Sequence, residues 1–243
     1  MNLSGAVAAI ASVTLRALLG RRRTLLMLLL AGAPILLGLI IRADGERPRA
    51  LVGALEGLII TSVLPLVALV FGTAALGSEL EDGTAVHILT KPIRRSTIVL
   101  AKIGVAGTLT AALLVPSTVI AGLLLARPGS GPLSITFAMA IGVLVGSYVY
   151  VAIFVALSVA TSRGLIIGLG YALIWEGVLA GLLPGSQVFS VREYVRGIAA
   201  ILSPAATDSI VGAGAVLYAA VALVAATAIA SVRLAVYEVR GSD

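Results

Sequence analysis

The chain contains long apolar runs with few or no charged residues. These runs limit the folds that it can adopt more than any other feature of the sequence. The run from Leu133 to Ala160 contains no charged residue, and similar runs recur along the sequence. A helix needs about 20 apolar residues to cross the hydrocarbon core of a bilayer. The runs do not alternate with polar residues as the strands of a membrane barrel do. With 60% hydrophobic and only 12% charged residues, the chain is predicted to be an all-α integral membrane protein.

Short charged or turn-forming stretches divide the apolar sequence into six predicted transmembrane helices. Their approximate ranges are 24–41, 50–76, 98–126, 133–160, 164–183 and 209–232. Residues 1–20 are predicted to form a helix at the membrane interface, because small or polar residues recur every four positions from Ser4 to Arg16 while larger apolar residues fall mostly on the other side. A short cytosolic lead-in is the alternative. Residues 184–208 form an outer segment whose apolar part is too short to span, so it is predicted to lie on the membrane or dip into it. The chain, 1–243, is interpreted as one transmembrane domain.

The basic residues predict which way the chain is oriented. Six spans place both termini on one side, and most of the 17 Lys and Arg residues fall on that side. The basic residues of the opposite side are Arg42, Arg47, Arg49, Arg127, Arg192 and Arg196. Because loops rich in Lys and Arg stay in the cytosol, both termini and the segment 77–97 are predicted to be cytoplasmic. The basic residues do not form one face with interleaved aromatic residues, so nucleic acid is not an indicated partner.

The segment 77–97 is a polar island between the second and third predicted spans. Ser78 and Glu81 have the spacing of a capping box, in which both side chains satisfy backbone N–H groups at a helix start. Pro92 disfavours helical geometry at the residue before it and should end the helix. The pattern therefore predicts a short amphipathic helix. Two interpretations remain open from the residues alone: a docking surface for a partner, or a loop that packs on its own helix ends.

The same island resembles the cytosolic loop of ABC type-2 exporter permeases. The residues that carry the resemblance are Glu79-Leu80-Glu81-Asp82-Gly83-Thr84, Leu89-Thr90-Lys91-Pro92, Arg94-Arg95 and Lys102. A second region of resemblance is Tyr171–Gly181, which precedes a polar segment with Tyr194 and Arg196.

The resemblance implies that the short helix after the second span is a coupling helix that inserts into a cleft on a cytosolic ABC ATPase. The positions that this implies for ATPase coupling are Glu79, Glu81, Gly83, Thr84, Pro92 and Arg95, with Asp82 and Arg94 as neighbours that share the role. It also implies a second permease subunit, identical or related. ATP and Mg²⁺ would be bound by the partner ATPase.

Several kinds of chemistry are not indicated by the sequence. No G-x-x-x-x-G-K-[ST] phosphate loop occurs, and the cytosolic stretches are too short for a nucleotide domain, so ATP hydrolysis is predicted to come from another chain. With one His and no Cys, a zinc site is not expected. We therefore predict a transport subunit with no catalytic residues, no metal and no cofactor bound by this chain.

Two carboxylates, Glu56 and Glu176, fall inside predicted spans, near their outer ends. An ionised side chain in hydrocarbon is unfavourable, so each should have a partner. One interpretation is an interfacial carboxylate paired with Arg49 or Arg192. The other is that one or both line the substrate exit path and act as an outer gate.

Two functions from different classes fit these observations. The first is the membrane-spanning permease of an ATP-driven exporter in the cytoplasmic membrane, coupled to a separate ATPase through the segment 77–97. The alternative is a polytopic accessory or immunity protein that works without an ATPase and in which the island is only a structured loop. Co-purification of an ATPase would distinguish them. The transported substrate is not indicated by any residue pattern.

Overall fold

The structure is a computed structural model that describes residues 3–44, 53, 56–81, 94–125, 132–182, 185–204, 206 and 211–236. Nearly all of these residues are helical, and none of them forms a strand. The helices are α1 (Leu3–Leu18), α2 (Arg21–Asp44), α3 (Leu64–Glu81), α4 (Arg95–Leu125), α5 (Pro132–Ala160), α6 (Gly164–Gly170), α7 (Val191–Leu202) and α8 (Ala215–Val236). The prediction of an all-α chain is confirmed for this part of the protein.

Two π-helical segments extend these helices. Gly57–Val63 leads directly into α3, and α6 continues as Tyr171–Leu179 before closing with the turn Ala180–Leu182. Short 3-10 turns, Ser186–Phe189 and Gly212–Gly214, precede α7 and α8.

Five stretches of the described chain are long and apolar enough to cross a membrane: Arg22–Ala43, Gly57–Gly77, Arg95–Leu125, Leu133–Ala160 and Gly212–Val236. They overlap five of the six predicted spans, although the second begins at Gly57 rather than near residue 50 and the last begins at Gly212 rather than near residue 209. The remaining predicted span, 164–183, is helical through Leu182 but changes helix type at Tyr171. The chain is thus a multi-pass membrane protein, and the count of six spans stays a prediction.

Helix α5 lies at the centre of the bundle and packs against α3, α4, α7 and α8. Its sequence is apolar on every side, which is typical of a helix that is surrounded by other helices. Tyr150 and Phe154 are fully buried, with stacked rings whose centroids lie 6.0 Å apart. Gly72 of α3 faces Phe154 and lets the two helices approach closely.

The rim of the bundle exposes large aliphatic side chains on α2, α6 and α8. Leu29, Ile166 and Val224 are 74%, 67% and 67% exposed, respectively. A water-soluble protein rarely leaves apolar surface of this extent uncovered. These faces therefore fit contact with lipid hydrocarbon.

Helix α7, from the outer segment, packs against α5 and α8. Its buried hydrophobic residues repeat at helical spacing: Val191, Tyr194, Val195, Ile198 and Ala199. Val195 packs directly over Gly142 and Gly146 of α5. Gly142 lies ten residues into α5, which corresponds to about 15 Å along its axis. This packing holds α7 alongside α5, and its placement relative to the membrane stays a prediction.

Because α5 and α7 are in close contact at Gly142, we expect one methyl group added there to destabilise the protein. In Gly142→Ala, the new Cβ would lie 2.6 Å from the carbonyl oxygen of Val195, so α7 must move. We expect the free energy of unfolding to fall by about 1–3 kcal/mol. Gly104→Ala in α4 is the matched control, because its Cβ would meet no atom within 4 Å. Thermal unfolding in detergent checks both variants, and equal midpoints would contradict the predicted contact.

The structure also corrects the predicted start of the short cytosolic helix. Helix α3 continues to Glu81, so Ser78 lies inside its last turns and cannot be an N-cap there. Gly77 does not end α3, because its backbone packs against Ser158 of α5 and the following Glu and Leu residues are good helix formers. At the other end of the predicted 77–97 segment, residues 95–97 already belong to α4.

Candidate functional site

A buried ion pair joins α3 and α4 just below the segment that connects them. Lys102, in the second turn of α4, is fully buried, and its Nζ donates to Oε1 of Glu79 at 2.6 Å. The same ammonium group donates to the carbonyl oxygen of Ala75 at 2.6 Å. A buried charge is tolerated only where its hydrogen bonds are satisfied, and here α3 supplies two of the three acceptors.

The third acceptor comes from the N-terminal helix α1. Lys102 Nζ lies 3.5 Å from Oγ1 of Thr14, whose own hydroxyl donates to the carbonyl oxygen of Ile10. Ile10, Thr14 and Leu18 recur every four residues and form the buried face of α1 against α4 and α3. We call Lys102, Glu79, Ala75 and Thr14 the Lys102 node. It ties three helices together at one end of the bundle.

The residues predicted to couple to an ATPase lie around this node or outside the described chain. Glu79 is part of the node. Arg94 is exposed and its carbonyl oxygen accepts from the N–H groups of Thr97 and Ile98, so it caps α4. Arg95 is the first residue of α4 and is half-buried. Glu81 ends α3, with its side chain outside the described part. The predicted positions Asp82, Gly83, Thr84 and Pro92 lie outside the described residues, and with them the predicted coupling helix.

A second cluster of charges lies at the opposite end of α3. Glu56, immediately before the first π-helical segment, pairs with Arg196 of α7 at 2.9 Å. Arg196 also binds Glu193 at 3.2 Å, and Glu193 lies 3.6 Å from Arg192. The structure gives Glu56 an arginine partner, Arg196, which is neither of the two arginines predicted, and Arg49 lies outside the described residues.

Glu176 sits in the second π-helical segment and is fully buried. Its Oε2 accepts from the Ser190 hydroxyl at 2.6 Å, and its Oε1 accepts from the Val191 N–H at 2.8 Å and the Tyr171 hydroxyl at 3.0 Å. The carboxylate therefore lies at the N-terminus of α7, where the helix dipole favours negative charge. The expected pairing with Arg192 is wrong. Hydrogen-bond donors on α7 take the place of an ion pair, and Arg192 turns to Glu193 instead.

Two tyrosines complete the packing around α7. The Tyr194 ring stacks on Tyr218 of α8 with centroids 6.3 Å apart, and its hydroxyl donates to the carbonyl oxygen of Val188. Burial, followed by the negative charge of Glu176 and the neighbouring Tyr218, raises the pKa of Tyr194 to about 12. The phenol therefore stays protonated at physiological pH and keeps its donor role.

The residues that bind Lys102, Glu56 and Glu176 were not predicted from the sequence. Lys102 is the one charged residue inside the predicted span 98–126, and an intramembrane charge is by itself a signal of a functional or paired residue. Thr14 and Ser190 carry no such signal, because hydroxyl side chains are common in helices and at their ends, and Arg196 is indicated by the resemblance and the charge distribution but not as the partner of Glu56. In the part of the chain that the structure describes, no three His, Cys, Asp or Glu residues group as a metal site would require.

Comparison with known proteins agrees with this architecture. Residues 21–178 match the family described as ABC-2 family transporter protein. No curated protein matches the chain. The matched range covers α2 to α6 and includes both halves of the Glu79–Lys102 pair as well as Glu56 and Glu176. This multi-pass membrane protein therefore belongs to the ABC-2 family of transporter proteins.

Proposed function

We propose that this chain is the permease subunit of an ATP-driven exporter in the cytoplasmic membrane. It crosses the membrane six times, with both termini and the segment 77–97 in the cytosol. It works beside a second permease, identical or related, and two ABC ATPase subunits that bind ATP and Mg²⁺. The family assignment supports a transport role, and the distribution of basic residues supports the orientation.

The Lys102 node is the observation that carries the proposal. It lies where α3 ends and α4 begins, directly at the base of residues 82–93. A buried ion pair contributes little net stability compared with apolar packing, but it fixes the relative position of the groups that it joins. The node would make the ends of α3 and α4 move together with α1 when an ATPase displaces the connecting segment.

The same movement would displace the charged residues at the other end of α3. Glu56 lies 23 residues before Glu79, which places the two charge clusters about 35 Å apart along the helix. A rocking motion of α3 would pull Glu56 away from Arg196 and loosen α7 from the bundle. In this proposal, Glu56 and Glu176 hold the outer end of the substrate path closed.

Co-purification distinguishes the proposed permease from the alternative, an accessory protein that needs no ATPase. The chain is expressed with an affinity tag together with its chromosomal neighbours, and the recovered ATPase is quantified. We expect Glu81→Arg to lower the recovery of ATPase about tenfold, because it reverses a charge in the predicted docking segment.

The matched control is Glu238→Arg, which reverses a charge in the C-terminal tail on the same predicted side. It should leave the recovery of ATPase unchanged. If the wild-type chain brings down no ATPase, or if both reversals act alike, the accessory-protein reading replaces the proposal.

A further inference from the structure

A cavity of about 190 Å³ lies between α2, α3, α5 and α6. Its polar lining consists of Arg23, Thr73, Ser158 and Thr161, with Gly77 and Gly164 leaving room between the helices. A water molecule in the liquid occupies about 30 Å³, so the space suits a small polar group and excludes a whole lipid.

The cavity lies at one surface of the membrane. Arg23 is in the first turn of α2, Gly77 is four residues before the end of α3, and Ser158 is two residues before the end of α5. Gly164 begins α6. Helix ends of this kind lie at the level of the lipid headgroups. In the orientation proposed above, this is the cytosolic leaflet.

The polar groups of the lining define what the cavity can bind. Arg23 is its one charged residue and has no ion-pair partner among the described residues. The Thr161 hydroxyl oxygen accepts from the Arg163 N–H, so its own proton is free to be donated. A guanidinium group and a free hydroxyl together suit a phosphate.

The hydroxyls of Thr73 and Ser158 indicate that the ligand also carries hydrogen-bond donors. Thr73 donates to the carbonyl oxygen of Leu69, and Ser158 donates to that of Val155. Their oxygens can therefore only accept hydrogen bonds from a ligand. A phosphate that carries hydroxyl donors, as in a phosphoglycerol headgroup, matches both halves of the lining.

We propose that this cavity binds the phosphate-bearing headgroup of an anionic lipid from the cytosolic leaflet. Basic pockets between transmembrane helices on the cytosolic side are suited to such headgroups. Leu165, at the rim, is 53% exposed, and the exposed aliphatic face of α6 continues from it along the path that the acyl chains would take.

The site shares helix α3 with the Lys102 node. Thr73 and Gly77 line the cavity, whereas Ala75 and Glu79 bind Lys102. A headgroup in the cavity therefore contacts the same helical turns that hold the node. The inference rests on the proposed orientation but not on ATPase coupling.

Native mass spectrometry of the purified chain tests the site without any ATPase. The protein is exchanged into micelles with equal amounts of phosphatidylglycerol and phosphatidylcholine, and the retained lipid is identified. We expect the wild type to retain phosphatidylglycerol preferentially. Arg23→Gln should lower this preference about fivefold, the effect of one cation at an anionic headgroup. Arg22→Gln should not, since Arg22 is exposed and does not line the cavity.

A second variant blocks the cavity without changing its charge. Ala74→Phe adds a ring to the lining and should also abolish the preference while Arg23 is retained. Displacement of the lipid by millimolar inorganic phosphate would identify the phosphate as the recognised group, and resistance to it would identify the intact lipid. If Arg23→Gln keeps the wild-type preference, or if Arg22→Gln loses as much, the proposed site is overturned. Because no ATPase is present, this result is separate from the co-purification experiment.

Discussion

Lys102→Met is expected to lower the free energy of unfolding by about 3 kcal/mol and, under the proposed function, to uncouple transport from ATP hydrolysis. The substitution keeps an unbranched apolar side chain but removes the cation beside Glu79 and the donor to Ala75. Removing one partner of a buried pair costs about 3–5 kcal/mol, and the Glu79 side chain is 15% exposed, so the lower value applies. Chemical unfolding in detergent measures the first effect, and stimulated ATPase activity of the assembled complex measures the second.

The double variant Lys102→Met, Glu79→Leu separates stability from coupling. Replacing a buried ion pair with apolar residues of similar size is often neutral, so most of the lost stability should return. The coupling defect should remain, because the fixed contact between α3, α4 and α1 is still missing. Arg163→Met removes an exposed cation and should leave stability unchanged. Wild-type unfolding of Lys102→Met, or full recovery of coupling in the double variant, would contradict the role of the node.

Glu176→Ala is expected to release α7 from the bundle. The carboxylate accepts from the Ser190 hydroxyl, the Val191 N–H and the Tyr171 hydroxyl, and each buried donor left without a partner costs about 1–3 kcal/mol. Trp175, the one tryptophan of the chain, reports the event, because its Nε1 donates to the Phe189 carbonyl oxygen just before α7. We expect a shift in Trp175 emission and faster hydrogen exchange in residues 186–202.

Two further variants test whether the effect is specific to the Glu176 carboxylate. Glu176→Gln keeps one acceptor oxygen and should give an intermediate shift in emission. Glu56→Gln weakens the ion pair with Arg196 but leaves the Ser190 and Val191 contacts in place, so Trp175 emission should stay close to that of the wild type. An unchanged emission spectrum in Glu176→Ala would show that the other contacts of α7, such as the packing of Val195 on Gly142 and Gly146, hold it without the carboxylate.

The sequence-based predictions were accurate where the structure depends on local composition, and wrong where it depends on packing between distant segments. Five spans were located, four of them within about four residues at each end and the second with its start seven residues early, because bilayer crossing depends on local apolar content. The start of the cytosolic helix at Ser78 was wrong, since a capping box is a local signal and α3, which lies close to Ser158 of α5 at Gly77, continues through it. The partner of Glu176 was also wrong. The apolar surroundings excluded a free charge, but the choice between an arginine and a helix N-terminus depended on where α7 packs.

Apolar content predicts an all-helical membrane protein, because burial in hydrocarbon is a property of each apolar segment and needs no knowledge of its neighbours, and the match of residues 21–178 assigns the chain to the ABC-2 family. How the intramembrane charges are satisfied follows from tertiary packing and could not be predicted from the sequence. Lys102 binds residues 23 and 88 positions away in the chain, and Glu176 binds donors 14 and 15 positions away. Such pairs form through helix packing, and packing depends on the shapes of all the helices together.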